Sequence, residues 1–343
     1  MNGQDTNRGT RESRPGREAL TGVATGRRKR GEQPVVPDTE FTSYYGKPVL
    51  NAPVWRSPDI PGYLFLGGLA GASSLLGAGA QATGRARLET VTKTGAFAAI
   101  SLSLAALVHD LGRPARFLNM LRVFKTSSPM NAGSWLLAGY GPLAGAAAAS
   151  AVTGKLPRIG AAATAGAAVL GPGVAAYTAA LISDTAVPAW HDGHREMPYV
   201  FAGSAATAAG GLGLLGDPSG DPRPARNLAL FGTALEMSAF QRMEHRLGMV
   251  AEPYRTGRAG RYVKVGKMLS LAGSAGALLA GRSRVVSMLS GAALLAASAT
   301  TRWGIFHAGK ASADDPRYTV VPQRERLRHG QRGSDSGSPA TAE

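Results

Sequence analysis

Three groups of ionisable residues in this 343-residue chain each end or interrupt an apolar run. His109 and Asp110 close the run at 96–108. Arg113, Arg116, Arg122 and Lys125 come next, interleaved with Phe117, Leu118, Leu121, Val123 and Phe124. Asp184 closes another run and leads into Trp190-His191-Asp192-Gly193-His194-Arg195-Glu196-Met197-Pro198-Tyr199. Glu236 stands inside a third run, followed by Arg242, Glu244, His245 and Arg246. Imidazoles and carboxylates are the groups that hold and pass protons. Placed among long apolar runs they are costly enough to mark function. The plainer readings are a Glu236 carboxylate paired with an arginine from a neighbouring loop, and a His109–Asp110 helix end solvated like any other.

These residue types fit some chemistries and not others. A haem b site needs two neutral histidines on facing helices. His109, His191, His194, His245 and His307 all fall at or beyond the ends of runs, so no haem is expected. His191-x-x-His194 is compatible with a metal but stands alone, so no metal site is expected. A quinone site needs an apolar slot, hydrogen-bonding groups for the ring oxygens and a protonatable residue with a path to water. His109, Asp110, Asp184, His191, Glu196 and Tyr199 supply such groups on one face. Asp110 is the leading candidate to hold the proton, with Glu236 the deeper competitor. Arg113, Arg116 and Arg122, set among apolar residues, suit a carboxylate-bearing partner surface. The same segment also reads as a helix lying along a membrane surface, or as a basic loop between two helices.

The elements that must position these residues are long apolar runs. They lie at 62–82, 92–108, 134–152, 159–183, 199–215, 227–241, 265–280 and 285–303, which predicts about eight crossings of roughly 20 residues each. The seventh is the weakest, with Lys264 and Lys267 where it begins. Gly67, Gly68, Gly71 and Gly77 recur on the first run. In a soluble helix they would be costly, whereas in a membrane they let helices approach closely. A soluble bundle would show amphipathic stripes, and these are largely missing. Connections alternate: short after runs one, three, five and seven, longer and ionisable after two, four and six. An even number of crossings puts both termini on the elaborate face. That face carries more Lys and Arg, which leans it toward the cytoplasm, although the short plain loops are basic too.

The chain has no cysteine and a net charge of +16. Thiolate-held clusters are therefore excluded from this chain, and any iron–sulfur cluster belongs to a partner. The cations gather in tails and loops, a pattern for a multi-pass membrane protein rather than a nucleic-acid groove. Residues 1–40 are too polar to fold and are expected to be a disordered basic tail. Arg27-Arg28-Lys29-Arg30 within it is followed by Gly31-Glu32-Gln33-Pro34, so it suits anionic lipid head groups rather than an export signal. Residues 41–60, with Tyr44, Tyr45 and Trp55, read as an interfacial lead-in. Residues 61–183 and 199–308 read as two helical halves joined by 184–198, and 309–343 as a polar tail.

The blocks Ser43-Tyr44-Tyr45-Gly46-Lys47-Pro48, Ile60-Pro61-Gly62-Tyr63-Leu64-Phe65-Leu66-Gly67-Gly68, Asp110-Leu111-Gly112-Arg113-Pro114 and Phe117 to Lys125 resemble the NrfD/polysulfide-reductase integral membrane subunits. Ser128-Pro129-Met130 and Gly133-Ser134-Trp135 extend the resemblance, which spans about 41–325. It implies an all-α integral membrane protein of two four-helix bundles in the cell membrane. Such a subunit generally lacks haem. It anchors an iron–sulfur subunit and a molybdopterin catalytic subunit, and exchanges electrons with a quinone, menaquinone or ubiquinone. It further implies a quinone pocket on the elaborate face, lined by Tyr63, His109, Asp110 and Asp184, with Tyr199 nearby. The family often has its partners outside the cytoplasm, against the charge count, and the long basic N-terminal tail is a departure. A transporter or a purely structural anchor is the alternative. A transporter would show polar pockets at mid-membrane.

Overall fold

The computed structural model describes residues 49–51, 53–112, 115–125 and 127–325. The expected basic tail at 1–40, with Tyr44, Tyr45 and Arg113, lies outside these residues. By contacts the chain divides into a body, Val54–Gly309, and a second unit made of Met1–Pro53 with Lys310–Glu343.

All regular structure among the described residues is helical. The long helices are α1 (Asp59–Ala82), α2 (Ala86–Leu111), α4 (Pro129–Thr153), α5 (Pro157–Ser183), α7 (Met197–Gly216), α8 (Arg223–Leu247), α10 (Gly257–Leu278) and α11 (Arg284–Asp314). Between them lie the short α3 (Ala115–Met120), α6 (Pro188–His191) and α9 (Glu252–Arg255). Proline stands at the first or second position of α4, α5, α7 and α8, where the missing N–H would have had no helical partner anyway. Gly112 and Gly154 end α2 and α4 in the left-handed conformation, at φ 70 and 68.

Each expected run became a long helix, but the eight differ in character. Six are long and apolar enough to cross a membrane: α1, α2, α4, α5, α7 and α11. The remaining two, α8 and α10, carry charges along much of their length, among them Arg226, Glu236, Arg242, Arg261, Lys264 and Lys267. The last helix continues to Asp314, past the expected start of the tail at 309.

The packing is inside out relative to a soluble bundle. Small residues fill the interior, while Leu102, Val169, Phe231, Leu271 and Leu289 point outward, each more than half exposed. Soluble proteins do not show such apolar sides to water. In the body α1 contacts α2, α5 and α7; α2 contacts α4; α4 contacts α5; and α8 contacts α7 and α10. Glycine sets the closest crossings. A Cβ on Gly71 of α1 would sit 2.3 Å from Gly171 O of α5, and one on Gly171 would sit 2.4 Å from Gly71 O. Gly211 of α7 and Gly291 of α11 meet in the same way.

The connections follow the expected alternation. Those between α1 and α2, α4 and α5, α7 and α8, and α10 and α11 are brief, and the other three hold the short helices. At the brief end Arg85 pairs with Asp221 at 3.1 Å and Arg87 with Asp217 at 3.4 Å, tying the first connection to the third.

Candidate functional site

The elaborate end begins where α1 starts and α2 stops. His109, in the last turn of α2, brings Nδ1 to 2.8 Å from Asp59 Oδ2 in the first turn of α1. The neighbouring Asp110 accepts the Arg56 backbone N–H at 3.1 Å on Oδ1. Both expected site residues therefore tie the lead-in and α1 to the end of α2. His109 keeps 71% of its side chain exposed, so water reaches it directly.

One helical turn below Asp59, on the same face of α1, is Tyr63. It is buried, and its carbonyl accepts the Ser103 hydroxyl of α2 at 3.0 Å. Its own hydroxyl shares a hydrogen bond with that of Tyr177 on α5. Tyr177 lies against Gly133 of α4, where a Cβ would be 2.3 Å from the ring. Three helices thus place two phenol groups at one point, one turn along α1 from the His109–Asp59 pair. Tyr177 and Asp59 were not singled out in the sequence. Tyr177 is the only aromatic residue in its alanine-rich run, a usable signal, whereas Asp59 looked like part of the lead-in.

The second cluster does something different. Glu196, buried at the start of α7, receives Arg246 from the end of α8 through Nε at 2.8 Å to Oε1 and Nη2 at 2.5 Å to Oε2. Arg246 Nη2 also donates to Asp192 O at 2.5 Å. Arg246 holds the Glu196 carboxyl below the usual carboxylate range, against the opposing effect of burial. His191 and His194 direct Nδ1 to backbone carbonyls, Ser183 O at 3.1 Å and His191 O at 2.9 Å. Asp184 caps α5 and is exposed, and Tyr199 is 59% exposed on the outside of α7. Trp190 is fully buried. It donates Nε1–H to Ile305 O at 2.8 Å and stacks on Trp55 at 5.5 Å. These contacts join lead-in, α6 and α11 into one floor.

The basic segment after α2 forms a helix only at α3. Arg116 turns back to donate to Leu111 O at 2.9 Å, closing the end of α2. Asn131 then replaces helical hydrogen bonds. Its amide donates to Met120 O at 2.6 Å and Val123 O at 2.8 Å, and its oxygen accepts Lys125 N–H at 2.6 Å. The surface helix expected from spacing is therefore one short helix and a pinned turn, with Leu118, Arg122, Val123 and Phe124 exposed.

Glu236, the deep carboxylate, is 5% exposed on α8, far from His109 in sequence and on a different set of helices. Arg302 of α11 is fully buried nearby, near enough to act on the carboxylate electrostatically. Arg302 was missed because it sits late in an otherwise apolar run. The third group also contains Lys267 of α10, which reaches Glu244 at 3.3 Å.

Six helices long and apolar enough to cross a membrane, with large apolar side chains facing outward, define a multi-pass helical membrane protein. Residues 48–215, just under half of the chain, match the family model described as polysulphide reductase, NrfD. No curated protein matches the chain.

Proposed function

We propose that the chain is the quinone-reactive membrane subunit of a multi-subunit oxidoreductase. It passes electrons between the quinone pool of a cell membrane, menaquinone or ubiquinone, and an iron–sulfur subunit that serves a molybdopterin catalytic subunit. In this reading all eight long helices cross the bilayer, as one group of α1, α2, α4 and α5 and another of α7, α8, α10 and α11. The contact pattern α1–α2–α4–α5–α1 supports the first group.

The observation that carries the reading is the Tyr63–Tyr177 hydroxyl pair one turn below the Asp59–His109 pair. Quinone ring oxygens accept hydrogen bonds, and phenol hydroxyls donate them. Reduction consumes two protons per ring, and an exposed imidazole backed by a carboxylate can take them from water and hand them inward. Asp110 stands beside His109 at the same helix end. A soluble redox partner would dock over this face on Arg116, Arg122 and the exposed apolar residues around them, with Arg113 in the same segment.

The test uses membranes carrying the assembled complex. Tyr63→Phe and Asp110→Asn should each leave the partner's reaction with artificial dyes intact, while quinone-linked turnover falls by a factor on the order of 10². Full quinone-linked turnover in both variants would remove the site from this end. A structural anchor without a quinone site is favoured by the link from Asp110 to the Arg56 backbone. Loss of both activities in Asp110→Asn would decide for that alternative.

A further inference from the structure

The second group of helices contains a buried carboxyl that the quinone reading does not use. Glu236 lies midway along α8, and its Oε2 has no hydrogen-bond partner. Gly203 of α7 lets the backbone come close here: a Cβ on Gly203 would be 2.5 Å from Glu236 N. The hydroxyls of Thr301 and Ser204 face the carboxylate, and Ser204 bonds Ser298 at 2.9 Å. From α11, Arg302 donates Nη2 to Phe201 O at 2.8 Å, lies 3.7 Å from the Phe201 ring centroid, and leaves Nε and Nη1 without partners.

The surroundings are asymmetric along the helix axis. Toward the elaborate end a small cleft is lined by Glu236, Phe240, Lys267, Ser270 and Thr301. Lys267 sits there over the Phe240 ring at 4.4 Å and bonds Glu244, two turns beyond Glu236, which is also 3.8 Å from the half-exposed Arg255. Toward the plain end Thr233 contacts Thr207 at 3.3 Å and Ser274 at 3.0 Å, and the hydroxyls of Ser287 and Ser290 are taken up by the carbonyls of Leu214 and Val286. Past Thr233 lies an apolar plug of Leu88, Leu214, Ala225, Ala229, Ala277 and Leu294.

We propose that Glu236 is a proton-binding carboxyl, loaded through this cleft from the elaborate face and sealed from the other. Leaving a buried carboxylate with an unpartnered oxygen is costly, and taking up one proton to become a carboxylic acid relieves that cost. A metal cation is the poorer occupant. It would need several oxygen ligands, whereas this site offers one carboxylate flanked by Arg302 and Lys267. The proposal stands without the quinone reading, and Glu236 lies outside the segment 48–215.

Dicyclohexylcarbodiimide modifies protonated carboxyls in apolar surroundings, so it serves as the probe on the full chain in sealed vesicles of known orientation. Peptide mass mapping should find Glu236 modified and Glu196 unmodified. The yield should fall as pH rises on the side of Glu244 and Arg255, and should not respond to pH on the other side. Protection by sodium, or a yield that follows the opposite side, would overturn the proposal. Because the reagent must reach the site, infrared difference spectra in light and heavy water provide a second measurement. A carboxylic-acid carbonyl band present in the wild type and absent in Glu236→Gln is expected, and its absence from the wild type would equally overturn the proposal.

Discussion

Arg246 at the end of α8 grips both carboxylate oxygens of Glu196 at the start of α7, and with the same guanidinium holds the Asp192 carbonyl. Arg246 thereby helps fasten the loop between α5 and α7 to the second group of helices, alongside Trp190 on Ile305 O and Tyr254 on Ala189 O. Glu196 is held below the ordinary carboxylate range. Its contribution to stability is therefore full above that range and is lost as pH falls through the depressed value. Glu196→Gln should destabilise the protein by about 1–2 kcal/mol at neutral pH, a figure kept low because Arg246 is 30% exposed. Thermal unfolding in detergent should show the gap between variant and wild type closing on acidification. A gap that is constant with pH would contradict the assignment.

The contact between Gly71 and Gly171 predicts a contrast within one helix. Gly71→Ala places a methyl 2.3 Å from a backbone oxygen that cannot move alone, so α1 and α5 must separate. The expected cost is on the order of 2–3 kcal/mol. Gly79→Ala, on the same helix with nothing within 4 Å of the added carbon, should be neutral or stabilising by about 0.5–1 kcal/mol. Equal effects of the two substitutions on detergent unfolding would show that the crossing is looser than described.

Arg122 separates docking from folding better than Arg116, because Arg116 also closes the end of α2 through Leu111 O. Arg122 is exposed beside Val123 and Phe124. Charge reversal, Arg122→Glu, should leave the membrane subunit folded and reduce the iron–sulfur subunit recovered with it by about tenfold, the loss of one rim charge contact. Unchanged recovery would place the partner elsewhere.

The apolar runs were legible in the sequence because a bilayer demands uninterrupted apolar length, and the alternation of short and long connections followed from where the runs stop. Glycine on the first run announced close packing, but its partner Gly171 depends on how α1 crosses α5, which no local pattern encodes. The segment after α2 stayed open between a surface helix and a loop for a similar reason. Its spacing suits a surface helix, while Asn131, from the next helix, captures the carbonyls that would have continued it. At the site, His109 and Asp110 were visible as charges ending an apolar run. Asp59 was not, and Tyr177 only as the lone aromatic of its run, because each gains its partner from a residue more than forty positions away. Glu196 read as one of the groups facing a quinone, whereas Arg246, fifty residues on, takes both of its oxygens.

The central claim is that quinone reacts at the Tyr63–Tyr177 end of the first group of helices. The most direct measurement is photolabelling of the assembled complex with a light-activated quinone analogue, followed by mass-spectrometric mapping. The account predicts label on the peptides carrying Tyr63 and Tyr177, displaced by excess unmodified quinone and reduced in Tyr177→Phe. Displaceable label confined to α8, α10 or α11, with none on α1 or α5, would contradict it.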